Sequence, residues 1–335
     1  MKKTKKILIM TGSYPSDVCG VGDYTHNLIN QLKKNDSVID LFYKNEWSIK
    51  SYKKYLKELL SQKVDFYHLQ YPTEGYGYSL VPLLLLLSLA RKKTVVTLHE
   101  LSSRNRLAYI YSQLLVFFSS KVIVTNSLEE KHARRFLFNA NKVHVIPIAS
   151  NIQKSTFSDV AFKKRTVDLA YFGHIRPIKG IESFIHAVSL LDGKFNVQLI
   201  GQALERYLDF FNRIKIKAEE LNVEMVVDKE ENEVANILSN VKIMYLPFPD
   251  GVSNRRGTLL ASIQNGCVVV SKKSDIEDFN VFFEQYIYLV DSDEEAADVI
   301  QKLLKEELPP KDLTQAKNIF SWDNVVSKHL RIYDK

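Results

Sequence analysis

Cysteine is nearly absent from this 335-residue chain. Cys19 and Cys267 are too few for a disulfide framework and lack zinc-ligand spacing. Both lie beside a glycine in apolar surroundings, and they read as reduced thiols of a cytosolic protein. Long hydrophobic runs are also missing. The longest, Leu80 to Ala90, contains Pro82 and falls well short of the roughly twenty residues of a membrane-spanning helix, so a buried helix or an interfacial face is expected there. Met1 to Lys6 are basic, but Ile7 to Met10 is too short for the apolar stretch of a secretory signal, and none is expected. The G-x-x-x-x-G-K-[ST], H-E-x-x-H and G-x-S-x-G patterns do not occur, which argues against an NTPase, a zinc protease and an α/β-hydrolase. No aromatic-and-basic motif of the nucleic-acid-binding modules is found, so nucleic acid is not an expected partner.

Charge is ordinary in amount and uneven in placement. The net charge is +7, with charged residues at 25% and hydrophobic residues at 45%, as in globular proteins. Residues 1–150 hold 22 Lys and Arg against 11 Asp and Glu, whereas the rest holds 24 against 28. A basic first half and a mildly acidic second half suggest two domains with different partners. By charge alone the basic half suits nucleic acid, an anionic membrane surface, a phosphorylated substrate or simply a solvated lysine-rich face.

Short apolar runs alternate with helical patterns along the whole chain. Strands are expected at 7–11, 38–43, 66–69, 94–98, 122–125 and 143–146, then at 168–172, 196–200, 224–227, 243–246, 268–270 and 286–290. Helices are expected at about 23–34, 49–60, 79–90, 104–119 and 127–138, then at 181–191, 204–221 and 294–305, with an apolar helix ended by Gly266 and a last one over 322–332. Strand–helix alternation is the signature of a doubly wound parallel sheet. The polar, aperiodic stretch 151–166 divides the chain as a linker. The expected domains are therefore 1–150 and 167–319, the first completed by a C-terminal helix at 320–335.

Ligands of such sheets bind beyond the C-terminal ends of the strands, so the residues there are candidate site residues. Gly20-Val21-Gly22-Asp23-Tyr24 follows the first strand, and its glycines permit a close backbone approach to a ligand or simply a tight turn. Thr25 stands where a dinucleotide fingerprint needs a third glycine. His99 ends the fourth strand, placed to bond a hydroxyl or phosphate or to serve a structural role. Glu100 beside it is an acid/base candidate or the cap of the next helix. Gly173-His174-Ile175-Arg176-Pro177-Ile178-Lys179-Gly180 sets two cations before a helix. In the stretch 247–270, Asp250, Ser253, Arg255, Arg256, Gly257 and Thr258 lead into another helix. Guanidinium and ammonium groups at a helix N-terminus form an anion site. Asp291-Ser292-Asp293 has a metal-compatible spacing, but acids at a helix start also cap it and favour its dipole, and capping is the preferred reading.

Four segments together, G-V-G-D-Y-T-H-N-L (20–28), V-T-L-H-E (96–100), Y-F-G-H-I-R-P-I-K-G-I-E-S-F-I-H-A (171–187) and F-S-W-D-N-V-V-S-K-H-L-R-I-Y (320–333), resemble the bacterial family 4 glycosyltransferases, and in the family's order. The resemblance spans nearly the whole chain. It implies the GT-B fold, two Rossmann-like domains facing a cleft, the first for an acceptor and the second for a nucleotide sugar. It implies retaining sugar transfer without metal or other cofactor. Carried over, Gly22 approaches the diphosphate or the reacting centre, His99 contacts the donor sugar and Lys179 binds the diphosphate. Gly173, Arg176, Arg255, Arg256, Gly257 and Thr258 complete the expected diphosphate site, with His99, Arg176 and Lys179 the catalytic candidates. Asp23, Tyr24, Glu100, Asp250 and Ser253 are candidates for acceptor or sugar contacts.

Two positions depart from the family. His174 stands where it usually has an arginine, five before the lysine. Ser253 and Ala261 stand where it usually has paired glutamates, while Arg255 and Arg256 occur in a D-G-V-S-N-R-R-G-T variant. The expected partners are a nucleotide-diphosphate sugar donor, a glycan or lipid-linked acceptor and an anionic membrane surface. The expected setting is surface-polysaccharide synthesis in the cytoplasm, at the inner leaflet. A non-catalytic GT-B subunit and a nucleotide-sugar 2-epimerase-like enzyme are the alternatives.

Overall fold

The computed structural model describes residues 5–15, 17, 19–35, 37–90, 92–135, 140–155 and 160–334. The end of the helix expected over 127–138, part of the expected linker and Lys335 therefore lie outside the described residues. The chain forms two compact units, residues 1–149 with 322–335, and residues 150–321.

Unit 1 runs β1 (Lys6–Thr11), α1 (Gly20–Lys34), β2 (Val38–Tyr43), α2 (Tyr52–Ser61), β3 (Phe66–Tyr71), α3 (Val81–Ser88), β4 (Thr94–Leu98), α4 (Arg106–Phe118), β5 (Lys121–Val124), α5 (Ser127–Arg134) and β6 (Val143–Val145). Unit 2 runs β7 (Val167–Ile175), α6 (Ile181–Ser189), β8 (Val197–Ala203), α7 (Leu208–Glu220), β9 (Val223–Val227), α8 (Glu231–Ser239), β10 (Val241–Leu246), α9 (Gly257–Gln264), β11 (Val268–Lys272), α10 (Glu277–Phe283), β12 (Tyr288–Val290), α11 (Asp293–Leu304) and α12 (Thr314–Ile319). The chain then returns to unit 1 as α13 (Trp322–Tyr333).

Each unit holds a six-stranded parallel sheet, ordered β2-β1-β3-β4-β5-β6 and β12-β11-β10-β7-β8-β9. Parallel strands are covered on both faces, so they read as unbroken apolar runs. Central strands such as β3 and β4 are accordingly buried at every residue, whereas edge strand β2 is buried only at Ile39 and Phe42. Every expected strand forms. The helices α8, α10 and α12 were not expected from the sequence. The one expected over 204–221 is a 3₁₀ turn at Glu205–Tyr207 followed by α7.

Two local expectations need correcting. α1 begins at Gly20, not Asp23, so Gly22 lies in its first turn. The stretch expected as a linker is partly packed into unit 2. Buried Arg165 donates to Val241 O at 2.7 Å and Asn265 O at 3.0 Å, and Ser155 N donates to Asn265 Oδ1 at 2.9 Å.

In both sheets the order of strands reverses once, between β1 and β3 in unit 1 and between β7 and β10 in unit 2. The loops leaving those strands diverge to opposite faces and open a crevice at the strand ends, the usual ligand position of such a sheet.

Candidate anion site and strand-end histidine

The crevice of unit 2 lies between the end of β7 with the loop 176–180 and the loop 247–256 after β10. α6 and α9 start there, and neither N-terminus is capped by a side chain. Their first N–H groups and positive dipole ends are thus presented to a ligand. Gly180 fixes the approach of the two loops. Its φ is +79°, and a Cβ there would lie 1.9 Å from Pro247 O. Gly173 is buried, with room for a Cβ only 2.8 Å from the Tyr171 hydroxyl. Gly257, the first residue of α9, has nothing within 4 Å of an added Cβ, so it faces open space.

Cations collect in this crevice. Burial lowers the pKa of Lys179, and Arg176 and Arg256 lower it further against a smaller opposing effect of Asp250. His174 is likewise lowered by desolvation, then by Lys179, Arg176 and Arg206. These effects put Lys179, Arg176 and Arg206 within electrostatic reach of His174, and Arg176 and Arg256 within reach of Lys179. Asp250 is the acid among them. It is exposed and ion-paired to Arg256, whose guanidinium also lies 4.8 Å from the Phe248 ring centre. Arg176 and Lys179 make no ion pair among the described residues. Arg176 Nε, Arg256 Nε and Asn254 Oδ1 are buried without a hydrogen-bond partner there. Buried polar groups are nearly always satisfied, so the two guanidinium Nε atoms are unspent donors on adjoining loops, whereas Asn254 Oδ1 is an acceptor. Clustered cations, orphaned donors and two bare helix starts suit a multiply charged anion such as a diphosphate.

The remaining candidates of this unit are less direct. Arg255 and Thr258 are half-buried beside Arg256. Ser253 is buried, and its carbonyl accepts from Arg256 N at 3.2 Å, closing the turn before α9. Arg206 and Asn254 were not read from the sequence. Arg206 carried a usable signal, a cation just beyond the strand neighbouring β7. At 291–293, Ser292 caps α11 by accepting from Glu295 N at 3.2 Å. Asp291 pairs with Lys273, and Asp293 with Lys272 and with the Tyr245 hydroxyl. The acids serve the helix start and local ion pairs.

Unit 1 places His99 just beyond β4. Its backbone N–H donates to Tyr71 O at 2.8 Å, and its Nε2 meets Gln70 Oε1 at 2.8 Å. An amide oxygen only accepts, so Nε2 carries the hydrogen and Nδ1 keeps a lone pair. The amide nitrogen of Gln70 faces His68 Nε2 at 3.2 Å, and His68 Nδ1 meets the Tyr333 hydroxyl of α13 at 2.6 Å. Burial lowers the His99 pKa to about 3, with His329 a lesser cause, so the imidazole is neutral. Gln70 thus orients the candidate histidine, a role the sequence reading missed. Its signal is a polar residue in the wholly buried strand β3.

The other unit 1 candidates sort into packing and surface roles. Tyr24 is buried edge-on against His99, with ring centres 5.0 Å apart, and stacks on Trp322 of α13. A Cβ on Gly22 would sit 3.1 Å from the Ser13 carbonyl carbon and 3.2 Å from Tyr14 N, so this glycine serves the chain's own close packing. Asp23 is half-buried, and desolvation raises its pKa. Glu100 accepts from the Ser103 hydroxyl and does not cap α4. Asn105 does, accepting from Ala108 N at 3.0 Å.

No family model and no curated protein matches the sequence. Solved structures do match. Anabaena HepE, in complex with UDP and glucose, superposes with a TM-score of 0.69 at 15% identity, covering 98% of this chain and 99% of that one. The lipopolysaccharide outer core galactosyltransferase WaaB gives 0.65 at 12% identity, covering 98% of each chain. A Listeria monocytogenes protein described as a UDP-N-acetylglucosamine 2-epimerase gives 0.69 at 11%, covering 98% and 95%.

The chain has the GT-B fold. Within this GT-B chain the positions where the family resemblance expects glutamates hold Ser253 in the loop and Ala261 in the wholly buried side of α9. Neither offers a carboxylate for a ribose, and the arginines supply the charge of that region.

Proposed function

We propose that this chain is a glycosyltransferase that moves a sugar from a nucleotide-diphosphate sugar to a glycan or lipid-linked acceptor. The observation that carries this reading is the cluster of Arg176, Lys179 and Arg256, with orphaned guanidinium Nε atoms, at the crevice of unit 2. HepE bound to UDP and glucose and the galactosyltransferase WaaB support the same reading by analogy of fold. Transfer is metal-independent, because side-chain cations and helix starts take the charge that a metal would otherwise neutralise. The bond from the anomeric carbon to the diphosphate oxygen breaks, and its electron pair stays on the diphosphate. The acceptor oxygen bonds to the anomeric carbon on the same face, with retention, and its proton passes to the departing diphosphate. Lys179, Arg176 and Arg256 hold the growing negative charge. His99, neutral and oriented by Gln70, offers its Nδ1 lone pair to a sugar hydroxyl. The enzyme acts in the cytoplasm in surface-polysaccharide synthesis, with the basic half of the chain directed to the inner leaflet.

The test is release of nucleoside diphosphate from a panel of nucleotide sugars, for the wild type and for Arg256→Ala and Lys179→Ala. Each substitution should slow turnover about a hundredfold, roughly 3 kcal/mol of transition-state stabilisation. Unchanged rates in both would sink the assignment. The absence of carboxylates at Ser253 and Ala261 favours one competing reading, a subunit that binds nucleotide without transfer. It predicts thermal stabilisation by nucleoside diphosphates with no turnover of any donor. An epimerase-like enzyme, the third reading, would instead convert the nucleotide sugar without releasing the diphosphate to an acceptor product.

A further inference from the structure

The outward side of α4 is apolar along its whole length. Beyond Arg106, its exposed side chains are Leu107, Ile110, Leu114, Phe117 and Phe118, at 80, 48, 40, 56 and 36% exposure. Their spacing puts them on one stripe of the helix, opposite the buried Ser112, Leu115 and Val116. A surface helix normally turns polar residues outward, so this arrangement is reversed. A continuous apolar patch of this kind marks a binding surface.

The charge around the stripe is mostly positive, with half-buried Glu100, bonded to Ser103, the acid near its start. Arg104 and Arg106 stand at its start. At its far end, Lys142 Nζ donates to Phe117 O at 2.8 Å and Ser119 O at 3.1 Å, and Lys121 opens the next strand. Ser120 Oγ bonds Lys92 O, which brings exposed Lys92 and Lys93 to the same edge. Residues 101–150 contain seven Lys and Arg but only two acids, Glu129 and Glu130. Glu129 is fully buried and accepts from Leu101 N, Ser102 N and the Ser102 hydroxyl. Glu130 is ion-paired with Arg134. No helix among the described residues is long and apolar enough to span a bilayer.

We propose that α4 lies along an anionic lipid bilayer, with Leu107, Ile110, Leu114, Phe117 and Phe118 entering the headgroup–acyl boundary and the flanking cations meeting the lipid phosphates. The geometry is that of an interfacial helix, apolar toward the acyl chains and basic at its margins. It rests on the membrane partner named above and gives that partner a contact surface.

The experiment is flotation of the full chain with vesicles of phosphatidylglycerol and phosphatidylcholine, against phosphatidylcholine alone. The wild type should float with the anionic vesicles and much less with the neutral ones, and less again in high salt. A Leu107→Ser, Phe117→Ser double variant should lose roughly tenfold or more of its vesicle affinity, since two large apolar contacts are removed. Its melting midpoint and its stabilisation by UDP should match the wild type. Phe117→Trp should shift its fluorescence to the blue on anionic vesicles. Equal flotation by the double variant, or no shift in Phe117→Trp, would overturn the proposal. So would a wild-type dimer that the double variant converts to monomer, because the stripe would then be covered by a second copy. A wild type that floats but binds no nucleotide would overturn the transferase reading and leave the docking face standing.

Discussion

The two sheets carry the same kind of crevice and fill it differently. In unit 1 the loop after β3 folds into the crevice. Gly75 N donates to Ser13 Oγ at 2.9 Å, and an added Cβ on Gly75 would meet Gly12 O at 1.6 Å. Orphaned atoms occur there too, but they are the neutral hydroxyls of Thr73 and Tyr76. In unit 2 the two loops also meet closely, at Gly180 and Pro247, but cations and two helix starts without side-chain caps lie beside that contact. The sheet topology therefore offers a position, and the loop chemistry decides whether it is packed shut or kept as a charged receptor. Unit 1 has its candidate chemistry at His99, one strand further along, where a buried histidine and glutamine run back to α13.

The largest effect expected from disturbing this contrast is at Gly180. Gly180→Ala combines a positive φ with a backbone collision and should destabilise unit 2 by about 4 kcal/mol, read as a fall in melting temperature. Gly257→Ala lies in the same crevice but in open space. It should leave the melting temperature nearly unchanged and weaken binding of a nucleoside diphosphate in titration calorimetry. Similar behaviour of the two variants would mean that the crevice is closed like that of unit 1.

A second effect concerns unit 1. Burial holds His99 down to about 3, His329 down to about 4 and His68 well below the ordinary 6.5. Below about pH 6.5 the unfolded chain therefore binds protons that the folded chain refuses. The stability these neutral imidazoles permit is full above that pH and is lost as pH falls through about 4 and then 3. Each contributes a slope of up to about 1.4 kcal/mol per pH unit in that window. Denaturant melts between pH 7 and 4 should show the fall, and His329→Gln should flatten it. A flat wild-type profile would contradict the burial of these groups.

The smallest expected effect is at Gln70. Gln70→Ala releases His99 Nε2 from its fixed acceptor and should lower kcat about tenfold with little change in KM, an amount near one hydrogen bond. Nitrogen-15 NMR of His99 should show a mixture of tautomers in the variant. A single unchanged tautomer would remove Gln70 from the positioning role.

The strands were the most legible part of the sequence, because parallel burial turns each into an apolar run such as I-L-I-M or T-V-V-T-L. α8, α10 and α12 were not. α8 begins E-N-E and is held by a reciprocal cap of Glu230 and Glu233, while α10 and α12 are short. The start of α1 was missed because glycines mark a loop in sequence, yet here Gly20 and Gly22 open a helix. For the site, runs of cations before a helix were visible. The approach of Arg206 to His174 was not, since it depends on which strands become neighbours. The loss of carboxylates at Ser253 and Ala261 was apparent only against the family resemblance.

The return of α13 to unit 1 bears on how the chain is made. Unit 2 is contiguous, so all its residues have been joined to the chain before Trp322 is added. Unit 1 is not. Its sheet can assemble early, but Tyr24 lacks Trp322 and His68 lacks the Tyr333 hydroxyl until synthesis has passed through the whole of unit 2. During that interval the histidine–glutamine chain is incomplete and the part of the sheet face beside α1 that α13 covers is bare, a surface for chaperones to shield.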